Sequence, residues 1–210
     1  MISSEDEARA YCRTLCDEVA MDRLERFVPL LLEESARQNL ISAGSLASVW
    51  QRHIADSVQL LAHVPHETSL WLDLGTGAGF PGLVIALARP DMSICLVESR
   101  KKRIAWLESV RDHFGLSQCQ VLGSRLEHVE SFPAGVISGR AFAPLDRLVA
   151  LSARFSTPDT LWLLPKGRSA AQELVKQSAH VQRMFHVERS ATDPEAGLLI
   201  GRGKVQGKAR

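Results

Sequence analysis

The stretch LDLGTGAGFPG, residues 72–82, decides the fold of this chain. Four glycines fall within the eight positions 75–82, directly behind an apolar run. Glycine lets the backbone turn sharply and come close to a ligand, because no Cβ is in the way. Residues 77–82 also satisfy the G-x-G-x-x-G pattern of nucleotide-binding loops. We expect a strand, a ligand-binding loop and a helix in that order, and a purely structural glycine turn is the alternative.

Short apolar segments alternate with helical segments from Ser69 onward. This alternation predicts an α/β fold with a mostly parallel, doubly wound, Rossmann-like sheet. In such a sheet a ligand lies beyond the carboxyl ends of the strands, where the strand order reverses. The strand candidates are residues 69–74, 93–98, 119–124, 135–140 and 159–165, followed by possible strands at 183–188 and 196–202.

Residues 1–66 have the pattern of helices instead. Ser4 and Glu7 form a capping box ahead of a first helix. Apolar residues then recur at the spacing of one buried helical stripe, beginning at Leu24 and Phe27. Ser45 is predicted to cap a further helix. We therefore expect a helical N-terminal extension over 1–66, packed on an α/β domain over 67–210.

Two acidic residues distinguish between the possible ligands. Glu98 ends the second strand, about 20 residues after the loop, where a carboxylate can bind ribose hydroxyls. Asp73 precedes the glycines and would repel the pyrophosphate of a dinucleotide, whereas it would attract the cationic amino-acid end of S-adenosylmethionine, directly or through water. Asp73, Gly77 and Glu98 are therefore predicted to bind S-adenosylmethionine. A dinucleotide-binding module or oxidoreductase is the rival hypothesis, and it requires Asp73 to be tolerated beside the pyrophosphate.

Composition narrows the class of protein further. Apolar residues make up 45% of the 210 positions and the formal net charge is +1. The N-terminus has no signal peptide, no apolar run reaches the roughly 20 residues of a membrane helix, and the four cysteines have no metal-ligand spacing. We expect a cytoplasmic protein with reduced thiols, no bound metal and no membrane partner.

Basic residues follow two of the predicted strands. Arg140 lies in GRAFAPL (139–145) after the fourth strand, and Lys166 and Arg168 lie in PKGR (165–168) after the fifth. Cations at the carboxyl edge of the sheet suit an anionic acceptor such as RNA. Solvated charges at strand ends are the alternative, as they are for the basic run at 100–103. A small-molecule methyltransferase would share the loop, but it would be expected to carry an apolar lid.

The chain resembles the bacterial ribosomal RNA small-subunit methyltransferase G (GidB) family from about Leu24 to about Ile200. The segments that carry the resemblance are NLIS, RHIADS, LDLGTGAGFPG, SRLE, GRAFAPL and PKG, in that order. The resemblance implies a seven-strand S-adenosylmethionine-dependent methyltransferase fold with an N-terminal helical extension. It also implies methyl transfer to N7 of one guanine, number 527 of the RNA, in the 530 loop of 16S ribosomal RNA. The expected partner is that RNA or the small ribosomal subunit, and a monomer is the default.

Matching motifs imply roles for further residues. The resemblance implies that Gly75, Phe80 and Arg140 contact the cofactor. It also implies that Leu126 and Glu127 lie beside the adenine. It implies that Arg125 and Lys166 serve RNA binding or catalysis. His53 and Asp56 match the R-H-x-x-D-S motif of the family. The chain departs from the family near its C-terminus, where Glu195, Ala196 and Gly197 stand in place of a common basic residue. That departure puts an RNA contact at this position in doubt.

The acceptor atom determines what catalysis requires. Guanine N7 carries a lone pair and no proton, so attack on the sulfonium methyl needs no general base. Alignment of the reacting atoms should supply most of the rate. His53 and Asp56, three residues apart, are predicted to pair on one helix. That pair either fastens the extension to the sheet domain or acts at the acceptor.

Overall fold

A computed structural model describes residues 1–65 and 69–205 of the chain. The predicted boundary between residues 66 and 67, and the C-terminal residues 206–210, lie outside the described residues. The helices are α1 (Glu5–Arg13), α2 (Glu18–Gln38), α3 (Asp56–Val58), α4 (Gly82–Ala88), α5 (Lys101–His113), α6 (Leu145–Ser152), α7 (Ala170–Val175) and α8 (Ala179–Met184). Within the described ranges, none of them is both long and apolar enough to cross a membrane.

The described residues form one seven-stranded sheet in the order β3-β2-β1-β4-β5-β7-β6. Strands β1 to β5 are parallel, and β7 runs antiparallel to both β5 and β6. The strand order reverses between β1 and β4, so the carboxyl ends of these two strands flank the place where a ligand is expected. The strands are β1 (Trp71–Leu74), β2 (Ile94–Val97), β3 (Cys119–Leu122), β4 (Ala134–Ser138), β5 (Ser156–Lys166), β6 (Phe185–Arg189) and β7 (Gly197–Arg202).

Apolar helices cover both faces of the sheet, which confirms the doubly wound architecture. One face packs against the N-terminal helices, α4 and α5, with Phe27, Trp50 and Trp106 in the same core. The other face packs against α6 and α7, with Phe155 and Trp162 buried there. The extension therefore continues the hydrophobic core of the sheet.

The extension is less regular than its sequence predicts. Ser4 caps α1 by accepting the N–H of Glu7, but the Glu7 carboxylate accepts the N–H of Ser3 instead of closing the box on Ser4. After α2 the chain passes through a 3-10 turn, a π-helical turn (Trp50–Ala55), α3 and a second 3-10 turn (Gln59–His63). The predicted cap at Ser45 is wrong, because this residue lies inside the first 3-10 turn (Ala43–Ser48). Its hydroxyl contacts His53 instead.

Candidate functional site

Two clefts meet at the carboxyl edge of the sheet. The first, of about 830 Å³, is lined by the loop after β1, the ends of β2 and β3, and Arg140; we call it the glycine-loop cleft. The second, of about 890 Å³, lies between the extension, the β5 end and the segment before β7; we call it the Lys166 cleft. Both clefts are lined by Ser42, His53, Arg140, Ala141, Phe142 and Ala143. A third cleft, of about 830 Å³, lies at the opposite edge of the sheet, far from the glycine loop.

Asp73 lies beneath the glycine loop and is fully buried. One carboxylate oxygen, Oδ2, accepts the N–H of Gly82 at 3.0 Å and the hydroxyl of Thr76 at 2.5 Å. The other, Oδ1, accepts the hydroxyl of Ser138 at 2.6 Å, and Ser138 in turn accepts the indole N–H of Trp71. Burial raises the pKa of Asp73, while these hydrogen bonds oppose the rise. Asp73 thus joins β1, β4 and the start of α4 in one hydrogen-bond network.

This burial leaves no exposed surface for a direct contact between Asp73 and the cofactor; an attraction through water stays a prediction. The carboxylate does not line the glycine-loop cleft, and its bonds go to the loop itself. A carboxylate enclosed by three donors can fix the position of the loop, but it presents no exposed oxygen to a cation. The residue chosen from the sequence for its charge therefore supports the loop structurally.

Two positions of the loop, Gly75 and Gly82, require glycine because neighbouring residues leave no space for a side chain. Gly75 also has a backbone conformation that favours glycine. Gly75 has φ +63°, and a Cβ built on it would lie 2.5 Å from the ring of Phe142. A Cβ on Gly82 would lie 2.4 Å from Leu96 and 2.6 Å from the Cβ of Asp73. Side chains at these positions would therefore push the loop away from β4 and from its acidic support.

Glu98 directly follows β2 and lines the glycine-loop cleft. Its Oε2 accepts the N–H of Gly77 at 3.0 Å, and its Oε1 accepts the N–H groups of Ser99 and Arg100 at 2.7 and 2.9 Å. A carboxylate has about four acceptor positions, so Oε2 keeps one for a ligand hydroxyl. Glu98 thus fixes Gly77 and can still bind a ribose.

Arg140 connects the sheet edge to the extension. Its guanidinium donates to Asp56 Oδ2 at 3.1 Å, to the Arg52 carbonyl at 3.1 Å and to His53 Nδ1 at 3.0 Å. The guanidinium carbon also lies 4.8 Å from the centre of the Phe80 ring, on which His53 stacks at 4.8 Å. Arg140 therefore joins the GRAFAPL segment, the R-H-x-x-D-S motif and the glycine loop in one cluster.

His53 and Asp56 share Arg140 and do not bond each other, so the predicted direct pair is wrong. Because a guanidinium only donates, His53 Nδ1 accepts, and Nε2 carries the proton that Ser45 Oγ accepts at 2.9 Å. Burial, Arg140 and Arg52 together lower the pKa of His53 to about 3. The imidazole is neutral at pH 7, and its one free lone pair is occupied by Arg140.

Asp56 also contacts the segment that precedes β7. Its Oδ1 accepts the hydroxyl of Thr192 at 2.9 Å and the side-chain amide of Gln59 at 2.9 Å. Gln59 and Thr192 are buried and line the floor of the Lys166 cleft. The structure thus supports a fastening role for Asp56, which joins three parts of the chain.

Lys166 is at the end of β5, but it is not a free surface cation. Its side chain is 8% exposed, and its Nζ donates to the Ala143 carbonyl and to Glu173 Oε2, each at 3.0 Å. Partial burial alone would raise the pKa of Glu173, but hydrogen bonds from Lys166 and Ser169 outweigh it and lower the pKa. Lys166 therefore positions residues 140–145 at the wall between the clefts, where Ala141 has a left-handed φ of 53°.

The SRLE segment contributes an exposed side of the glycine-loop cleft. Leu126 is buried, Glu127 is exposed 3.9 Å from Arg147, and both line the cleft. Arg125 is exposed at the same wall, and within the described part of the chain it has no acidic partner. Arg125 is thus available to a ligand or to an anionic acceptor.

Most of the predicted site residues come together at the two clefts. Gly75, Gly77, Phe80, Glu98 and Arg140 line the glycine-loop cleft with His53 and the SRLE residues. Asp56 and Lys166 line the other cleft. Sequence reasoning missed Ser45, Gln59, Glu173 and Thr192, since none lies in a recognisable motif and only the fold brings Thr192 to Asp56.

A family model described as rRNA small subunit methyltransferase G matches residues 20–194. The chain belongs to this family. It is 57% identical over 206 residues to a "Ribosomal RNA small subunit methyltransferase G" of Erythrobacter litoralis, covering 98% of the chain and 100% of that protein. It is 54% identical to a protein of the same description from Novosphingobium aromaticivorans, covering 95% and 88%. The chain is therefore a methyltransferase, and S-adenosylmethionine is its methyl donor.

Solved structures confirm the fold. A precorrin-6y C5,15-methyltransferase of Geobacter metallireducens matches with a TM-score of 0.54 at 11% identity, covering 80% of this chain and 92% of that one. An rRNA methylase of Streptococcus thermophilus matches with a TM-score of 0.52 at 13% identity, covering 73% and 98%. The predicted seven-strand methyltransferase fold is thus confirmed, and the dinucleotide-binding hypothesis is set aside.

Proposed function

We propose that this enzyme transfers the methyl group of S-adenosylmethionine to N7 of one guanine in the 530 loop of 16S ribosomal RNA. The observation that carries the proposal is the wall that the two clefts share, formed by His53, Arg140 and residues 141–143. A donor in the glycine-loop cleft and a base in the Lys166 cleft would meet at that wall. Family membership supports ribosomal RNA as the acceptor.

The donor would lie along the carboxyl ends of β1 to β4. The open acceptor position on Glu98 Oε2 suits a ribose hydroxyl, and the backbone of Gly75 and Gly77 can approach the amino-acid part. Leu126 supplies an apolar surface for the adenine, beside Glu127. Phe80, held between the loop and the Arg140 cluster, closes the end of the cleft toward the acceptor.

The acceptor side would be held mainly by cations and by the position of the dividing wall. Arg125 is free to contact a phosphate. Lys166 acts through the wall, because its ammonium is occupied by the Ala143 carbonyl and Glu173. Asp56 and His53 hold Arg140 and the extension against the sheet, so they position the acceptor without touching its reacting atom.

The transfer itself would be a direct in-line displacement. The N7 lone pair forms the new N–C bond as the bond from methyl to sulfur breaks, and the sulfur keeps the electron pair. The positive charge passes from the sulfonium to the guanine ring, and no proton moves. His53 does not act as a general base, because its basic nitrogen is bonded to Arg140 and its pKa is about 3. The enzyme contributes alignment and a preorganised site.

We place this reaction in the cytoplasm and take a monomer as the working form. The test is to map 16S ribosomal RNA from cells that lack the gene, by primer extension and mass spectrometry. Loss of one N7-methylguanine from the 530 loop, restored by the wild-type gene, is the expected result. Unchanged methylation there, or loss of a methyl group from a small molecule only, would refute the proposal.

A further inference from the structure

Arg52 lines the Lys166 cleft, Arg168 lies between the lining residues Gly167 and Ser169, and each arginine is held by an acidic residue of one short segment. Arg52, from the π-helical turn, forms an ion pair with Asp193 at 3.1 Å. Arg168, after β5, forms an ion pair with Glu195. The arginine side chains are 51% and 80% exposed. Asp193 and Ala196 line the cleft between them, so two cations flank its mouth.

The acidic segment keeps its shape without the arginines. Asp193 Oδ1 accepts the N–H of Glu195 at 3.0 Å, and the Asp193 carbonyl accepts the N–H of Ala196. The Ala196 carbonyl accepts the N–H of Ser190, and Thr192 is bonded to Asp56. The backbone bond from Glu195, together with Arg52 and Arg168, lowers the pKa of Asp193. The Asp193 carboxylate is thus a fixed anion that is bonded to Arg52 and lies within the electrostatic influence of Arg168.

These ion pairs are weak enough to be exchanged. Exposed pairs contribute little to stability, because water and salt screen them. A phosphodiester offers two oxygens in a geometry that a guanidinium binds well. Arg125, by contrast, has no competing acid among the described residues. The glycine-loop cleft therefore has one cation that is ready for phosphate, whereas the two arginines beside the Lys166 cleft are already occupied.

We propose that Arg52 and Arg168 are phosphate-binding residues of the acceptor cleft, and that Asp193 and Glu195 occupy them until the RNA backbone replaces the carboxylates. This inference rests on the proposed function, since it takes RNA as the acceptor. The two acids then act as an electrostatic filter. Only a ligand with phosphates spaced to reach both arginines compensates for the two broken ion pairs.

The test compares RNA affinities of the full-length protein by filter binding, with unmethylated 16S ribosomal RNA as the probe. The double variant Asp193→Asn, Glu195→Gln removes both charges, and Asn keeps an oxygen that can cap Glu195. Each acid removed should tighten RNA binding about two- to fivefold at low salt. The control is Asp91→Asn with Asp159→Asn, which makes the same charge change at exposed positions near the amino ends of β2 and β5, at the opposite edge of the sheet. It should change binding less than twofold, because salt screens distant charges.

The arginines give the reverse test. Arg52→Gln or Arg168→Gln should weaken RNA binding and reduce the slope of log affinity against log salt by about 0.7 for each phosphate that the variant no longer binds. If the double acid variant binds RNA no more tightly than wild-type protein, the inference is overturned. The proposed function would still stand, provided that the wild-type protein methylates the RNA. Wild-type protein that neither binds nor methylates the RNA would overturn both.

Discussion

Replacing Asp73 with asparagine separates two ways in which this acid could favour the donor. In the structure it holds the glycine loop through Gly82, Thr76 and Ser138. An asparagine oxygen facing Gly82 and Thr76 keeps both bonds at neutral strength, which is about 1 kcal/mol weaker for each than a bond to a carboxylate. Its amide then faces Ser138, whose proton must find another partner. Removal of the buried charge offsets part of these costs. We therefore expect Asp73→Asn to weaken the free energy of ligand binding by about 2 kcal/mol.

Ligands with and without the amino-acid end distinguish the two roles. If Asp73 acts through the loop, S-adenosylhomocysteine and 5′-methylthioadenosine should lose affinity by the same factor, up to about 30-fold for 2 kcal/mol. If Asp73 attracted the ammonium directly, about 4 kcal/mol at an effective dielectric constant of 20 would be lost for the charged ligand alone. Isothermal titration calorimetry of wild-type protein and Asp73→Asn measures both ligands.

The same titration needs a control for general damage to the fold. Asp91→Asn changes an exposed acid far from the loop and should leave both affinities unchanged. Circular dichroism of Asp73→Asn should show wild-type helix content. Normal binding of 5′-methylthioadenosine, with S-adenosylhomocysteine weakened more than 100-fold, would refute the role assigned to Asp73.

Three further predictions concern the surroundings of the loop and the dividing wall. Because the pKa of His53 falls from 6.5 to about 3 on folding, the unfolded chain binds the extra proton below pH 6.5, and stability is lost as the pH falls. Between pH 7 and 5, the free energy of unfolding of the wild-type protein, measured with urea, should therefore fall by about 2 kcal/mol more than that of His53→Gln. The same pH dependence in both proteins would contradict a neutral, buried imidazole. Gly82→Ala should lower the Tm by about 2 to 12 °C through overpacking, whereas Gly44→Ala, with open space around its Cβ, should leave it within about 2 °C in calorimetry. Lys166→Met should reduce the rate of RNA methylation at least tenfold, because residues 140–145 lose their anchor. Its affinity for the donor, measured by titration, should stay within twofold of the wild-type value. A loss of donor affinity as large as the loss of methylation would show that Lys166 serves the donor.

The sheet could be predicted from the sequence because each strand is short, apolar and followed by a turn. All seven strands lie within a few residues of their predicted positions, and the loop after Leu74 forms as expected. These features depend on local spacing, which one sequence displays directly. The position of the site follows from the general rule for parallel sheets, whereas the sequence pattern specifies neither the order of the strands nor the antiparallel direction of β7.

The side-chain partners of the site residues could not be predicted in the same way. The pairing of Lys166 with Glu173, and of Arg140 with Asp56, depends on how helices pack on the sheet edge. Periodicity likewise suggested one regular helix after residue 45, whereas packing against α1 and the sheet divides that stretch into 3-10, π and α turns. Charge alone also could not show that the Asp73 carboxylate is buried beneath the loop, where it exposes no oxygen for a direct contact with the cofactor.

The most direct measurement of the central claim is methyl transfer by the purified enzyme. Labelled S-adenosylmethionine is incubated with 16S ribosomal RNA from cells that lack the gene, and strand scission at N7-methylguanine locates the product. The account predicts close to one methyl group for each RNA molecule, at N7 of a single guanine in the 530 loop. Label at another atom or another loop, or none in the RNA while the donor is bound, would contradict it.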